Sequence, residues 1–194
     1  ITPDRNKDGY GISIRIIDEI LKSGCKFIIT TDNGIAAMEQ ILYAKQHGCT
    51  VIITDHHEVP FTFDENGNKL FMIPDADAII DQKLPGSTYP FYDICGAMIS
   101  YKFASALLDA ISTPISQSEK AALLNRWIEL CGIGTVCDVM PLILENRTVV
   151  KKTISIIRKG SSYVGIKALL SVLEIEESSF SSYNIGFGIG PCIN

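Results

Sequence analysis

Two short polar segments carry the residues best suited to chemistry in this chain, and each follows an apolar run. Asp32 follows the first run, and Asp55, His56 and His57 follow the second. Carboxylate oxygens and imidazole nitrogens together form a ligand set that suits Mn²⁺ and that Mg²⁺ or Zn²⁺ also accepts. The chain has 3 histidines, and two of them lie here, so the clustering is not a result of composition.

A plainer interpretation exists for each aspartate, in which its side chain only caps the segment that follows. This alternative stays open for Asp32, whereas the two histidines beside Asp55 favour a site. His56 and His57 are expected to have different roles, one binding a metal and the other facing substrate, because successive side chains point to opposite sides at a strand end. His47 is expected to interact with a helix dipole instead of a metal.

The elements that must position these residues alternate between strand and helix patterns. Residues 26–31 and 50–54 are short, apolar and rich in β-branched side chains, which is typical of parallel strands buried on both faces. Residues 35–47 between them have helical spacing, so the three segments form a βαβ unit. Its strands end at one edge of the sheet, where open α/β folds bind ligands. Neighbouring strands lie about 4.8 Å apart, so two carboxylates at this edge would repel each other without a cation between them.

The predicted fold class is α/β, with a mostly parallel sheet flanked by helices and followed by a helical connecting segment. A first helix is expected at 11–21 and a third strand at 78–80, after a polar, hairpin-like insertion at 64–69. The second half is predicted to be helical, with a polar link near its end. Its expected helices cover 95–111, 116–131, 144–159 and 164–173, and the link covers 178–182.

Composition excludes several classes of protein. Hydrophobic residues make up 46% of the 194 residues and charged residues 20%, which excludes extensive disorder. The apolar runs are far shorter than the roughly 18 residues of a membrane span, so we expect no membrane partner. The 6 cysteines form no C-x-x-C pair and suit a reducing, cytoplasmic location. The net charge of −5 argues against a plain nucleic-acid coat but is compatible with a nuclease whose carboxylates bind cations.

Three segments resemble motifs two, three and four of the DHH phosphoesterase superfamily. They are Thr-Asp-Asn-Gly-Ile at 31–35, Thr-Asp-His-His-Glu at 54–58 and Gly-Thr-Val-Cys-Asp-Val-Met-Pro-Leu at 134–142. Further segments are similar to the RecJ branch, which degrades single-stranded DNA from the five-prime end. These are 3–5 with 9–11, 95–97 with 101–102, 145–147, and 187–191 with 193–194. The motifs occur in matching order and cover almost the whole chain.

The resemblance implies a phosphodiester hydrolase with two Mn²⁺ or Mg²⁺ ions, acting as a 5′-to-3′ exonuclease on single-stranded DNA in recombination and repair. It implies Asp32, His56 and Asp138 as metal ligands, with Asp32 between the two ions. It places His57 at the phosphate, as a stabiliser of charge or a proton donor. Asp55 is either a ligand or an acceptor that fixes a histidine tautomer, and we favour the second.

Contacts to nucleic acid are expected at both ends of the chain. Arg5 resembles an arginine that binds a DNA phosphate near the metals, a task that suits a guanidinium group. Arg147, Lys151 and Arg158 fall near one face of a predicted helix, in a stretch from 146 to 173 that has basic but no acidic residues. Such a face could bind the phosphates of a single strand. A solvated helix face is the alternative, and Arg147 could be structural. The resemblance also implies helicase or single-strand-binding protein partners.

The resemblance also sets expected boundaries. Residues 1–142 would form a DHH core without its first strand and first motif, and 143–194 a helical connector to a missing second lobe, DHHA1. The first motif supplies ligands for the second ion, so we expect the truncated chain itself to be inactive. Two positions depart from the family, because Cys192 stands where arginine is common and Asp81-Gln82 where Asn-Pro is common.

Two other functions remain open from the sequence. The chain could belong to another DHH phosphoesterase, acting on short oligonucleotides, cyclic dinucleotides or pyrophosphate. It could also be a non-catalytic DNA-binding scaffold that kept the fold and lost its metals. The motif at 134–142 and the Gly-Tyr-Gly at 9–11 favour the RecJ branch over the other phosphoesterases. Retention of Asp32, His56, His57 and Asp138 argues against the scaffold.

Overall fold

The computed structural model describes residues 1–112 and 115–193, without the side chains of Arg5 and Asn6. The chain divides into two compact units, Ile1–Tyr92 and Asp93–Asn194. The described part of the first unit is α/β, and that of the second is helical.

The first unit is built on a parallel sheet. Its strands are β1 (Phe27–Thr31), β2 (Thr50–Thr54), β3 (Phe61–Phe63), β4 (Lys69–Phe71) and β5 (Ala78–Ile80), and its helices are α1 (Arg5–Asp8), α2 (Ile14–Lys22) and α3 (Met38–Gln46). The sheet has the order β1-β2-β5, while β3 and β4 form a separate antiparallel hairpin. Thr31 pairs with Thr54, and Thr54 pairs with Ile80, so the three strands end side by side.

The apolar core of the first unit joins this sheet to its helices. Ile17 of α2, Ile41 of α3 and Ile53 of β2 are fully buried in one cluster. Ser13 caps α2 by accepting a hydrogen bond from the Ile16 N–H. The predicted fold, a mostly parallel sheet flanked by helices, is therefore confirmed.

The second unit consists of helices around another core. They are α4 (Gly96–Ala110), α5 (Gln117–Cys137), α6 (Leu144–Ile157), α7 (Val164–Val172), α8 (Ser182–Asn184) and α9 (Gly190–Ile193), with a 3₁₀ turn at Glu177–Ser179 and a π-helix at Ile185–Ile189. Ser116 and Glu119 form the predicted capping box at the start of α5. Phe180, Ile157 and Ile185 are fully buried together.

Helix α5 continues past its predicted end at residue 131, and two glycines beyond that residue lie against neighbouring helices. A methyl group at Gly132 would lie 2.1 Å from Oγ1 of Thr153 on α6, and one at Gly134 would lie 2.7 Å from Cβ of Ala97 on α4. The glycines let three helices approach closely, so α5 extends to Cys137.

Two further properties of the chain concern its thiols and its helices. All the cysteines are free, and burial raises the pKa of the Cys131 thiol to about 12. In the described part of the chain, no helix has the length and apolar character that crossing a membrane requires.

Candidate metal centre

The turn after β1 presents Asp32 at the carboxyl edge of the sheet. Asp32 has φ of 63°, a left-handed conformation that is uncommon outside glycine and concentrated at functional sites. The turn is held by two hydrogen bonds, from Thr30 Oγ1 to the Asn33 carbonyl at 2.6 Å and from Asn33 Nδ2 to the Thr31 carbonyl at 2.9 Å. These bonds leave the Asp32 side chain 55% exposed.

Gly34 completes this turn and could not be replaced by a larger residue without strain. Its φ is 118°, and a methyl group there would lie 2.9 Å from Oγ1 of Thr30 and 3.1 Å from Cγ2 of Ile53. The close contact of this turn with Thr30 and Ile53 therefore explains the glycine at position 34.

Asp55, after β2, is buried and engaged by hydrogen bonds within the protein. Its Oδ2 accepts the Ile35 N–H at 2.9 Å, and its Oδ1 accepts the His56 N–H at 2.8 Å and the His57 N–H at 3.3 Å. Nδ1 of His57 lies 2.6 Å from the same Oδ1. Because a carboxylate only accepts, that nitrogen carries a proton, so the neutral form of His57 has its lone pair on Nε2.

The structure brings Asp32, His56 and His57 into one group. Nε2 of the buried His56 lies 3.0 Å from Oδ1 of Asp32, and the imidazole centroids of the two histidines are 4.5 Å apart. One ligand atom from each residue lies within 4.8 Å of the others, and this is the one group of three or more such side chains in the described part of the chain. A carboxylate and two imidazoles at this spacing fit a divalent transition metal.

A cavity of about 310 Å³ opens beside this group. It is lined by Asp32, Asp55 and His57 together with Tyr10 and Gln40. Tyr10 therefore lies next to the candidate site.

Asp81 is a residue at this edge to which the sequence assigned no role. It follows β5 as Asp32 follows β1, and its Oδ1 accepts the Lys83 N–H at 2.8 Å. Its Oδ2 is buried and has no hydrogen-bond partner among the described residues. Burial, with the nearby charge of Asp55, raises the pKa of Asp81 to about 6. The signal in the sequence was its position directly after the third strand.

The segment that carries Arg5 is anchored by its neighbour Asp8. The Asp8 carboxylate accepts hydrogen bonds from the Arg15 Nε at 2.6 Å and the Asp4 N–H at 2.9 Å. The Arg15 guanidinium lowers the pKa of Asp8 to about 2. The side chain of Arg5 is outside the part of the chain that the structure describes, so its predicted phosphate contact stays a prediction.

The other predicted site residues belong to the second unit. Asp138 is the exposed C-cap of α5, and its N–H donates to the Gly134 carbonyl at 2.9 Å. A negative side chain is unfavourable at a helix C-terminus, so helix stability does not explain this residue.

Helix α6 presents basic side chains on one face. Arg147, Lys151 and Arg158 are exposed, and Lys151, Arg158 and Lys159 line a groove of about 400 Å³ with Ile154 and Ser155. Nε of Arg158 donates to the Phe180 carbonyl at 2.8 Å, so this arginine is also structural.

Comparison with known proteins identifies the family. The model of the DHH family, N-terminal domain, matches residues 1–135. The chain belongs to the DHH family. This DHH-family chain is 32% identical over its whole length to the single-stranded-DNA-specific exonuclease RecJ of Salmonella typhimurium, covering 32% of that protein. It is 34% identical to the RecJ of Bacillus subtilis, with 99% of the chain aligned and 22% of that protein covered.

Solved structures agree with this assignment. A structure of exonuclease RecJ bound to manganese matches 99% of the DHH-family chain and 43% of its own length, with a TM-score of 0.75 and 25% identity. The RecJ of Thermus thermophilus in complex with Mn²⁺ shares the fold, with a TM-score of 0.68 and 23% identity over 94% of this chain and 24% of its own. The resemblance to the RecJ branch is thus confirmed. The chain spans about a third or less of the length of the curated relatives cited here.

Proposed function

We propose that this chain is the DHH part of a metal-dependent hydrolase that degrades single-stranded DNA from the five-prime end, in recombination and repair. The observation that carries the proposal is the group of Asp32, His56 and His57 at the carboxyl edge of the sheet. The relatives named as single-stranded-DNA-specific exonucleases support the choice of substrate. Their role in DNA processing also supports a cytoplasmic location.

The described side chains divide the work at a divalent ion. Asp32 and His56 would bind Mn²⁺ or Mg²⁺, with Asp138 as a further ligand by resemblance, and His57 is close enough to join the set. Such an ion would act as a Lewis acid toward a scissile phosphodiester. The similar structure of exonuclease RecJ bound to manganese supports this choice of metal.

Asp55 acts on the reaction through His57. By holding the proton on Nδ1, it leaves Nε2 available to bind the ion or, when protonated, to donate to a phosphate oxygen. Asp55 is therefore a positioning residue in this proposal. The proposal also keeps two predictions from the family resemblance. His57 would contact the phosphate, and a second metal ion would take part.

The basic face of α6 would bind the phosphates of the strand. Lys151, Arg158 and Lys159 line one groove without an acidic residue among its lining side chains, which is the charge pattern of a single-strand phosphate path. Arg147 lies one turn before Lys151 and would extend the path, while Arg5 would bind a phosphate near the ion. We also propose, by resemblance, that a helicase or a single-strand-binding protein acts with the complete enzyme.

An assay with Mn²⁺ on five-prime-phosphorylated single-stranded DNA tests the proposal, beside duplex DNA, a dinucleotide and pyrophosphate. The complete enzyme should shorten the single strand from its five-prime end. Asp32→Ala and His57→Ala should abolish that activity. Turnover of only the dinucleotide or pyrophosphate would assign the protein to another DHH activity, and a protein without turnover or Mn²⁺ binding would be a scaffold.

A further inference from the structure

Two exposed aromatic side chains near the end of the second unit have no role in the function proposed so far. Tyr183 is 69% exposed and Phe187 is 74% exposed. Their ring centroids lie 4.8 Å apart with an angle of 32° between the ring planes. These two tilted rings pack against each other at the surface and form an exposed apolar patch, which we call the aromatic pair.

The backbone holds the aromatic pair outward. Ile185 and Ile189 begin and end the π-helix and are buried in the core of the unit, so Phe187, midway between them, faces solvent. A methyl group at Gly188 would lie 3.0 Å from Cδ1 of Ile175, so this segment packs tightly on its inner side. A π-helix is rare and often occurs at functional sites.

Lys151, Arg158 and Lys159 line the groove beside α6, which we call the basic groove. One of its residues is hydrogen-bonded to the segment just before the aromatic pair. Arg158, which lines the groove, donates to the Phe180 carbonyl at 2.8 Å, and three residues span at most about 11 Å between Phe180 and Tyr183. Ile157, next to Arg158, shares the buried cluster of Ile185. Cations that suit phosphates and rings that suit bases therefore lie on the same unit, a short distance apart.

We propose that the aromatic pair, Tyr183 and Phe187, stacks against unpaired bases of a single strand whose phosphates lie along the basic groove of α6. The inference rests on the proposed function, because it specifies how that function would hold its substrate. Charge favours a nucleic acid as the molecule bound here, since residues 146–173 contain basic and no acidic residues. Glu174, Glu176 and Glu177 precede the aromatic pair, so bases, not phosphates, are expected to contact it.

Binding of a labelled oligothymidylate and of an abasic strand of equal length, measured by anisotropy in EDTA, separates stacking from phosphate contacts. Phe187→Ala and Tyr183→Ala should each weaken oligothymidylate binding about 5- to 150-fold and leave abasic binding unchanged. Phe187→Tyr and Tyr183→Phe keep a ring and should retain the wild-type affinity. Val172→Ala, at a position 79% exposed in the same unit, should change neither affinity.

A second variant shows whether the proposed function or only this inference has failed. Lys151→Ala should weaken both strands equally and reduce the slope of affinity against salt by about 1. If the wild-type protein binds neither strand, the nucleic-acid function fails and the inference with it. If it prefers oligothymidylate and Phe187→Ala keeps that preference, only the inference is overturned. A change in the sedimentation coefficient of Phe187→Ala without a change in DNA affinity would instead assign the aromatic pair to contact between copies of the chain.

Discussion

An aspartate follows both β1 and β2, but the two aspartates lie in different surroundings. Both strands are parallel and paired in register, and both are followed by an aspartate. Asp32 stands on a left-handed turn with its side chain 55% exposed. Asp55 is buried, and both of its oxygens accept hydrogen bonds from the protein.

The difference shows that surroundings, not residue type, assign the roles at this edge. A carboxylate whose lone pairs already accept N–H donors is poorly placed to bind an ion and well placed to orient a neighbour. A carboxylate held outward near two imidazoles is available as a ligand. We therefore propose that Asp32 binds the metal and that Asp55 positions His57.

Asp55→Asn should produce the largest combined effect, because an amide cannot accept at both positions. The amide nitrogen faces either the Ile35 N–H or the two histidines, so a buried N–H loses its acceptor in either case, which should lower the free energy of unfolding by about 1–3 kcal/mol. In the second case the acceptor that orients His57 is also lost, which should lower Mn²⁺ affinity about 10- to 100-fold. Urea denaturation and a Mn²⁺ titration measure the two effects.

Asp32→Asn is the matched control for that variant. Its exposed side chain should allow a free energy of unfolding within about 0.5 kcal/mol of wild type, while Mn²⁺ affinity falls. Equal destabilisation by the two variants would contradict the distinction between the two aspartates.

Gly34→Ala tests whether the turn that presents Asp32 depends on close packing. A methyl group 2.9 Å from Thr30 and 3.1 Å from Ile53, at a φ of 118°, should destabilise the protein by about 1–3 kcal/mol. Gly86→Ala has a φ of 81° but nothing within 4 Å, so thermal unfolding should show a smaller decrease in Tm. Equal decreases in Tm would mean that the positive φ alone, and not close contact with Thr30 and Ile53, explains the glycine at position 34.

Asp81→Asn should have a smaller, pH-dependent effect. Burial raises the pKa of Asp81 from 3.8 to about 6, so the folded protein binds this proton more tightly than the unfolded chain does. The wild type therefore loses stability relative to Asp81→Asn as pH rises from about 4 through 6. Urea denaturation at pH 4.5 and 7.5 should show the variant gaining at the higher pH, and a constant difference between the two proteins would count against a buried, proton-binding Asp81.

Much of the first unit could be predicted because its strands are short, apolar and separated by clear breaks. The residues at the ends of β1 and β2 followed from that pattern, as did the motif containing His56 and His57. Helix α3 starts at Met38, after the expected residue 35. The Ile35 N–H donates to Asp55, a tertiary contact that helical spacing in the sequence does not reveal.

The second unit was harder to predict because its helix contacts do not follow from local sequence. The end of α5 was predicted at residue 131, but the helix continues through Gly132 and Gly134, which lie against Thr153 and Ala97. The π-helix at Ile185–Ile189 and the exposure of Phe187 depend on tertiary packing. The predicted boundary between residues 142 and 143 remains a prediction, as do the roles of the individual site residues.

Titration of Mn²⁺ into the protein, followed by calorimetry and pulsed electron paramagnetic resonance, tests the central claim that Asp32 and His56 bind a divalent ion while Asp55 orients His57. We expect one ion to bind at micromolar concentration with a ¹⁴N coupling from a histidine. Asp32→Ala should abolish binding, and His56→Ala should weaken it and remove a nitrogen coupling. A protein that binds no Mn²⁺ at that concentration, or that binds it unchanged in both variants, would contradict the account.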